Sequence, residues 1–552
     1  MLVKTQFDTK NMIFFYIIIF QAMISQGAYF VMGLLALNIF FMLYLLVTKK
    51  TLRIDINFIL LIVIFILGIF SNIFLSINYY LGMTDIIKYM LFPLAYILFL
   101  NFEEKEKIHN VFYHSFILLM FFGVLGCLGL SLFPGMVIAG SNRMQSFLQY
   151  ANTTALFMGI GVLLSIDKFL AFKKGIYIFL SLMFSIALFL TQSRITFVIF
   201  LFIVTLYLFR YLNKKMKFIF GLVILILLTV LLAIGERIVR ISLFEPTLVE
   251  RFITFYDASK ILIMKPFGIG LGNWQYMQFQ YQSAPYQVRY IHNFYLQMAL
   301  DNGLLALTCF LGILSLSFYS AYRLKNINYY VFTFIILQSL FEVSFNFGVV
   351  IIYFAFVLSS LGKPLDLSKF VDFKLVINKN LKFLLILPCI FLVIFWYSEM
   401  LVSKGNRVAK YDKNRAYIFY TQAQKINPFN KDLLFKKAQL EKNPAVALNL
   451  LEQCYQSNPY HFQVMMSLAE GFLYAGNFEK SYFYSEKLVE IFPYNKKHQM
   501  LAKKVLDTFF QKSLISKETF NQLKGKFEET VSEKNKIIHP LYRYINPQMD
   551  YK

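Results

Sequence analysis

The stretch DINFILLIVIFILGIFSNIFLS at residues 55–76 decides the class of fold. It carries no charge between its first and last residues, and a membrane-crossing helix needs about 20 consecutive, mostly apolar residues. Outward from this stretch, similar runs between polar breaks predict an all-α polytopic membrane protein with thirteen spans. These spans are 11–26, 28–48, 55–76, 86–101, 109–132, 152–167, 175–191, 194–211, 217–235, 293–320, 329–345, 347–361 and 382–398.

The composition excludes most other classes of protein. Hydrophobic residues make up 58% of the 552 residues and charged residues only 15%, whereas soluble domains are roughly 25% charged. The same numbers exclude disorder, collagen and coiled coil. On a membrane protein, the net charge of +24 therefore indicates that Lys and Arg are concentrated in the loops on one side, and does not indicate a nucleic-acid partner. Four cysteines without a CxxC or Cys/His cluster indicate neither a disulfide framework nor a metal site.

The distribution of Lys and Arg predicts the orientation, because cytoplasmic loops are enriched in both. With the N-terminus in the cytoplasm, the cytoplasmic segments hold 21 Lys and Arg residues. The short outer connections and outer span ends hold only Lys88, Arg143 and Arg194. The chain is thus predicted to cross the cytoplasmic (inner) membrane many times. The loop 236–292 and the part after residue 398 would lie on the extracytoplasmic side.

The polar part after the last span predicts a second, helical domain. Pro428, Pro459 and Pro493 recur at 31 and 34 residues, which is the period of a tetratricopeptide helix pair. In LAEGFLYAGNFEKSYFYSEKLVEIFPYN (468–495), Gly476 would lie in the turn, and Ala469 and Ser481 at small packing positions. A generic array of helical hairpins is the alternative. We therefore expect a transmembrane domain over 1–398, tetratricopeptide-like repeats over 399–509 that offer a groove to a protein partner, and a polar, partly helical tail over 510–552.

Three arginines, Arg143, Arg194 and Arg251, map to the outer face, where cations are rare. A guanidinium forms two parallel hydrogen bonds with phosphate and keeps its charge at any physiological pH. One such pair can contribute about 4 kcal/mol at an effective dielectric constant near 20. Two or three arginines could thus hold a pyrophosphate, although each alone could equally anchor lipid headgroups. Arg194 is the exception, because an anchor there would run against the orientation rule.

His292 maps to the same face and precedes Asn293, a plausible helix N-cap. The positive end of a helix disfavours imidazolium, so a neutral His292 could accept a proton from an acceptor hydroxyl. The alternative is an interfacial histidine bonded to backbone. Asp301 and Glu342 are acids within apolar runs and should have partners. Asp301 would either lie deep in a continuous helix or cap a second helix after a break at its Asp-Asn-Gly sequence.

The turn FGIGLGN at 267–273 contains Gly268 and Gly270. It lacks the strand and helix of a dinucleotide-binding loop. Because glycine permits close backbone approach, the turn could meet a sugar or a phosphate.

Three segments carry a resemblance to a known family. They are TQSRITF (191–197), RFITFYDASKILIMKPFGIGLGNW (251–274) and HNFYLQMALDNGLLAL (292–307). In this order, and on a polytopic background, they resemble the bacterial O-antigen ligase and O-antigen polymerase superfamily, most closely over residues 120–315. Arg143 lies in a stretch that lacks the family's common glycine and proline, and Asp301 stands where the family usually has Glu.

The resemblance implies a glycosyltransferase of the GT-C type that needs neither metal nor cofactor. Such an enzyme moves a glycan from undecaprenyl pyrophosphate to an acceptor outside the cytoplasmic membrane, as in the assembly of lipopolysaccharide or other surface polysaccharides. Arg194 and Arg251 would bind the pyrophosphate, and His292 would activate the acceptor hydroxyl. The other substrate-binding candidates are Arg143, Asp301, Gly268 and Gly270.

Three acceptors stay open: a lipid A core sugar, the growing glycan, or a protein Ser/Thr in an oligosaccharyltransferase reaction. The repeat domain tips the choice toward a ligase-type or protein-linked acceptor over polymerisation. A transporter of lipid-linked glycan would require ionisable residues through the membrane depth, where the spans are nearly free of charge. A membrane-anchored repeat scaffold would leave the outer arginines without a role.

Overall fold

The computed structural model describes residues 3–47, 51–211, 246–324, 326–361, 373–376 and 379–545. These residues form 23 α-helices. The first fifteen build an apolar bundle with its connections. They are α1 (Val3–Ile24), α2 (Val31–Val47), α3 (Ile56–Leu75), α4 (Tyr79–Leu100), α5 (Lys105–Cys127), α6 (Ala151–Phe172), α7 (Gly175–Leu190), α8 (Arg194–Phe209), α9 (Pro246–Met264), α10 (Trp274–Tyr281), α11 (Phe294–Asn302), α12 (Leu304–Leu324), α13 (Ile327–Gln338), α14 (Gly348–Ser360) and α15 (Lys379–Val408).

Six helices, within α3, α4, α5, α6, α12 and α15, are long and apolar enough to cross a membrane. Six shorter apolar helices lie in α1, α2, α7, α8, α13 and α14. Together they correspond to twelve of the thirteen predicted spans. The remaining one, 217–235, lies outside the described residues, as does the predicted loop up to residue 245. The apolar helices indicate an integral membrane protein.

The short helix α14 lies in the middle of the bundle. Twelve of its thirteen residues are buried, and a helix that is apolar all round belongs inside a core. Tyr353 of this helix packs its ring against Phe112 and Phe116 of α5. On other helices, such as α3 with Phe74 and α7 with Phe189, large apolar side chains point outward. On a membrane protein this is the surface that meets lipid.

Two of the predicted spans are interrupted. The run 293–320 breaks after Asn302, because Gly303 has φ +85° and its backbone packs against Phe267. The run predicted as 329–345 ends as a helix at Gln338, so the predicted end of that span is wrong. A polar break follows it and includes a 3-10 turn at Ser344–Asn346. The start of α11 contacts the second interruption, since the backbone NH of Phe294 donates to the carbonyl of Ser339 at 3.0 Å.

The fold is not purely helical, because two short antiparallel ribbons accompany the bundle. β1 (Thr51–Ile54) pairs with β4 (Phe373–Val376), and β2 (Val137–Ile138) pairs with β3 (Arg143–Met144). The second ribbon forms part of the connection between α5 and α6. It carries Arg143, one of the predicted substrate-binding residues.

Eight further helices follow the bundle, and we call them the C-terminal helices. They are α16 (Lys413–Ile426), α17 (Asp432–Ala438), α18 (Pro444–Ser457), α19 (Phe462–Tyr474), α20 (Phe478–Ile491), α21 (Lys496–Gln511), α22 (Lys517–Lys536) and α23 (Pro540–Ile545). α15 runs without a break through the predicted boundary at residue 399. Gly476 lies in the α19–α20 turn with φ +76°, and the Ser481 hydroxyl donates to the Ala469 carbonyl at 2.8 Å. The tetratricopeptide-like interpretation stays a prediction.

The C-terminal helices contact the chain between α9 and α11. The backbone NH of His539 donates to the carbonyl of Ser283 at 2.7 Å. The His539 ring lies 5.2 Å from that of Tyr256 on α9, and the Phe279 ring of α10 lies 4.5 Å from that of Phe492. The segment that carries Arg251 and His292 is therefore held from both the bundle and the C-terminal helices.

Candidate functional site

The polar break between α13 and α14 holds a buried carboxylate, Glu342, whose side chain is only 1% exposed. Its Oε1 lies 2.9 Å from Arg251 Nη1 and accepts a hydrogen bond from Asn152 Nδ2 at 2.8 Å. Its Oε2 accepts from the Tyr150 hydroxyl at 3.1 Å and lies 3.7 Å from His292 Nδ1. We call Arg143, Tyr150, Asn152, Arg251, His292 and Glu342 the arginine–glutamate cluster.

The partners of Glu342 keep it charged. Burial alone would raise the pKa of this carboxyl group, because a low-dielectric environment disfavours the ionised form. The contacts with His292, Arg251 and Asn152 outweigh burial, so the pKa lies below its ordinary value. A carboxylate with partners on both oxygens is a fixed negative charge to which nearby cations can be oriented.

Arg251 lies on α9 and is anchored twice at one nitrogen. Its Nη1 donates to the carbonyl of Phe341 at 2.9 Å as well as pairing with Glu342. These two contacts hold the guanidinium by one edge, and the side chain is 16% exposed. A guanidinium offers five N–H donors, so the contacts at Nη1 leave other N–H groups of this residue able to bind an anion.

Arg143 lies on the opposite side of Asn152. Its Nη2 donates to Asn152 Oδ1 at 2.7 Å, and its Nε donates to the carbonyl of Thr191 at 2.8 Å. Burial lowers the pKa of the Arg143 guanidinium, and the charges of Arg251 and Arg194 act in the same direction, against Tyr150 and Glu342. Arg143 is therefore close enough to both Arg251 and Arg194 to feel their charges.

Arg194 is the first residue of α8 and has an exposed side chain. Ser193, Thr196 and the α7–α8 turn before it are held by internal hydrogen bonds, including one from Ser193 Oγ to Thr196 Oγ1 at 2.9 Å. Thr191, whose carbonyl binds Arg143, belongs to the same turn. Arg194 therefore follows directly the turn whose Thr191 carbonyl contacts Arg143.

His292 lies directly before α11, and its side chain is 26% exposed. Asn293 caps this helix, as predicted: its Oδ1 accepts a hydrogen bond from the Leu296 NH at 3.0 Å. The distance of 3.7 Å from His292 Nδ1 to Glu342 exceeds that of a hydrogen bond, but it directs Nδ1 toward the carboxylate. The other ring nitrogen, Nε2, is then the one left for a substrate.

Asp301, a predicted substrate-binding residue, lies apart from the arginine–glutamate cluster. It is fully buried on α11, where its two carboxylate oxygens accept hydrogen bonds from Gln297 at 2.9 Å and Tyr89 at 3.3 Å. Nearby, Lys88 pairs with Asp85 at 3.0 Å. Asp301 caps no second helix, because α12 begins after Gly303. Its contacts support the junction of α11 with α4.

Gly268 and Gly270 form a tight turn, with φ of +89° and +99°, but the approach that they permit is to the protein itself. A Cβ on Gly268 would lie 2.6 Å from the Leu300 carbonyl oxygen, and one on Gly270 would lie 2.8 Å from the Leu75 backbone. The expected approach to a sugar or phosphate is therefore replaced by packing against α11 and α3.

The sequence pointed to Glu342 as an acid in need of a partner but did not identify that partner, and it did not single out Tyr150 or Asn152. Asn152 and Glu342 are separated by 190 residues, a distance that no local pattern covers. A polar Tyr-Ala-Asn stretch before an apolar helix was the available signal. Among the described residues no group of three or more His, Cys, Asp or Glu could hold a metal ion.

Fold and site together define an integral membrane protein that gathers cationic side chains, a buried carboxylate and an imidazole at a polar break in its helix bundle. A family model described as O-Antigen ligase matches residues 178–311. The part of the chain that is similar to this family includes Arg194, Arg251 and His292, whereas Arg143 and Glu342 lie outside the matched range. No curated protein matches the chain. The family match suggests a membrane glycan transferase of the ligase or polymerase type.

Proposed function

We propose that this protein transfers a glycan from undecaprenyl pyrophosphate to an acceptor hydroxyl on the extracytoplasmic side of the cytoplasmic membrane. The observation that carries the proposal is the arginine–glutamate cluster, in which one buried carboxylate joins Arg251 to His292. The side chains needed for the leaving group and for the acceptor proton then lie next to each other.

The charge balance of the cluster suits a pyrophosphate. Arg143 and Arg251 carry two positive charges around the single negative charge of Glu342, and Arg194 adds a third from the neighbouring turn. A site with excess positive charge at low dielectric stabilises the anion that develops as the glycosidic bond breaks. Arg194 and Arg251 would contact the pyrophosphate directly. Arg143, which is itself held between Asn152 and Thr191, would contribute its positive charge next to them.

His292 would take the acceptor proton on Nε2. The acceptor oxygen attacks the anomeric carbon, the bond from that carbon to the pyrophosphate oxygen breaks, and its electron pair leaves with the pyrophosphate. Glu342, which faces Nδ1, stabilises the imidazolium that forms and keeps the ring oriented, as a carboxylate does in other carboxylate–histidine pairs. The arginines that hold the pyrophosphate and the histidine that takes the proton thus assist the same reaction step, the attack of the acceptor oxygen on the anomeric carbon.

The acceptor is either a lipid A core sugar, the growing glycan or a protein Ser/Thr. The C-terminal helices contact the segment that carries Arg251 and His292, which favours an acceptor large enough to touch both. A ligase-type or protein-linked acceptor fits this better than polymerisation alone.

The proposal is tested with purified protein, a lipid-linked oligosaccharide and each acceptor class. We expect Arg194→Ala and Arg251→Ala to lower turnover by about 10²–10³-fold and His292→Ala by about 10²–10⁴-fold. Arg415→Ala and His114→Ala are matched controls, because these exposed residues lie away from the cluster. Full turnover in all three site variants would overturn the assignment.

The orientation has its own test. After the native cysteines are replaced by Ser, Tyr474→Cys at the end of α19 should react with a membrane-impermeant maleimide on cells whose outer barrier has been opened. Lys174→Cys, between α6 and α7, should react only after lysis of the cytoplasmic membrane. Both native side chains are exposed, so the side of the membrane on which each cysteine lies decides whether the maleimide reacts with it. The reverse pattern would invert the proposed topology.

A further inference from the structure

A cavity of about 280 Å³ lies away from the arginine–glutamate cluster. Phe279, Gln282 and Tyr286 line it from α10 and the chain that follows, and Phe492, Tyr494 and His498 line it from the C-terminal helices. It is therefore formed only where the two parts of the molecule meet.

Two residues that line this cavity each have a buried polar atom without a hydrogen-bond partner among the residues that the structure describes. These atoms are Oε1 of Gln282, on a residue that is 4% exposed, and Nδ1 of His498, on a residue that is 2% exposed. Leaving such groups unsatisfied costs stability, and in most proteins they are bonded. The neighbouring Gln278 shows the usual state, because its amide binds both the NH and the carbonyl of Val288 at 2.9 and 2.8 Å.

The rest of the wall is aromatic and nearly neutral. The rings of Phe279 and Phe492 lie 4.5 Å apart, and the ring of His498 lies 5.4 Å from that of Phe492. Burial lowers the pKa of His498 to about 4, so this imidazole is neutral at physiological pH. Lys496 is the one charged side chain among the described lining residues. The arginines that mark the first site as a phosphate site have no counterpart here.

Aromatic faces combined with neutral hydrogen-bonding groups fit an uncharged ligand that has both C–H surfaces and hydroxyls. A sugar ring has this chemistry. The location agrees, since Gln287 at the cavity and His292 at the cluster are five residues apart, which limits their separation to about 18 Å. A glycan of a few units can therefore reach from one to the other.

We propose that this interface cavity is a sugar-binding subsite, which holds an uncharged sugar unit of the glycan while its reacting end lies at the arginine–glutamate cluster. The inference rests on the proposed function for the identity of the glycan, but binding itself does not require turnover. The unit belongs either to the donor glycan or to a glycan acceptor, and both present the same chemistry to Gln282 and His498.

The test is saturation-transfer NMR on the full-length protein in detergent, with trisaccharides of glucose, N-acetylglucosamine and mannose as probes. We expect transfer to at least one trisaccharide with the wild type, and loss of it in Gln282→Met and His498→Phe. Gln453→Met is the matched control, because Gln453 is exposed on α18. Transfer from none of the probes, or transfer that survives both cavity variants, would overturn the proposal.

Two further measurements separate this proposal from others. Arg251→Ala should keep the trisaccharide signal, so that a failure of the proposed function does not affect it; loss of the signal there would place the sugar at the cluster and overturn the subsite. Because Gln282 Oε1 has no partner among the described residues, replacing this side chain by an apolar group of similar shape leaves no partner of that oxygen unpaired. Gln282→Met should therefore unfold at or above the wild-type temperature, and a clear decrease would assign Gln282 a structural role instead.

Kinetics then identify the source of the sugar. In Gln282→Met we expect roughly a tenfold lower kcat/KM, the effect of about one lost buried hydrogen bond. The decrease should occur only with a multi-unit donor, or only with a multi-unit acceptor, and should vanish when that substrate carries a single sugar. An equal kcat/KM for wild type and variant with every substrate would contradict the subsite.

Discussion

Glu342 and Asp301 are both acids inside apolar stretches, and both are almost fully buried, but their surroundings differ. Glu342 contacts Arg251 and faces His292, whose side chains are partly exposed. Asp301 binds Gln297 and Tyr89, both of which are buried. One acid connects to side chains that a substrate can reach, and the other is enclosed.

The comparison shows that the burial of an acid does not identify a functional residue. Burial makes either carboxylate costly unless it is paired, so both must have partners whatever their roles. What separates the two acids is whether their partners have further hydrogen-bonding atoms that face an open surface. Arg251 has further N–H groups and His292 has Nε2, whereas the amide of Gln297 and the hydroxyl of Tyr89 are directed into the core.

Among the changes that test this comparison, the largest effect should come from Glu342→Gln. This change keeps the size of the side chain but removes the charge that pairs with Arg251 and stabilises the His292 imidazolium, so we expect kcat/KM to fall by at least about a hundredfold. Turnover with a lipid-linked oligosaccharide measures it, and a melting curve in detergent verifies that the variant is folded. A folded variant with wild-type kcat/KM would contradict this distinction, because Glu342 would then have a structural role, like Asp301.

Asp301→Asn should act on stability instead. The amide can accept one hydrogen bond but presents an NH₂ group where Tyr89 or Gln297 needs an acceptor, so we expect a loss of about 1–3 kcal/mol in the free energy of unfolding. The kcat/KM of the folded fraction should stay within about twofold. Denaturant titration and active-fraction kinetics measure the two quantities. A stable Asp301→Asn variant without turnover would instead support the predicted role of Asp301 in substrate binding.

Much of the bundle could be predicted from sequence because the bilayer imposes one simple condition, an apolar run long enough to satisfy its own backbone hydrogen bonds. The breaks at Gly303 and after Gln338 were harder, because the polar residues there are few and lie between apolar runs on both sides. A hydropathy pattern does not distinguish a continuous helix from two helices whose ends are packed against other chain segments.

The members of the site were easier to name than its contacts. Arg143, Arg194, Arg251 and His292 were found because cations are rare on one face. Their relation through Glu342 depends on pairs such as Tyr150 with Glu342, 192 residues apart, and such pairs arise only from the tertiary fold. The glycines show the same limit: their positive φ values follow from the turn, but the partner that they approach does not.

The smallest effect is the pH dependence of the Glu342 contribution to stability. Because the folded-state pKa of Glu342 lies below its ordinary value of 4.5, the unfolded chain binds protons first as the pH falls, and the pairing is lost as the pH drops through the lower folded-state value. The stability advantage of the wild type over Glu342→Gln should thus be constant above about pH 5 to 6 and should shrink below 4.5. Melting temperatures of both proteins between pH 3.5 and 7 measure it. An advantage that instead grows on acidification would mean that burial dominates at Glu342, and that its pairing with Arg251 and His292 is weaker than the distances indicate.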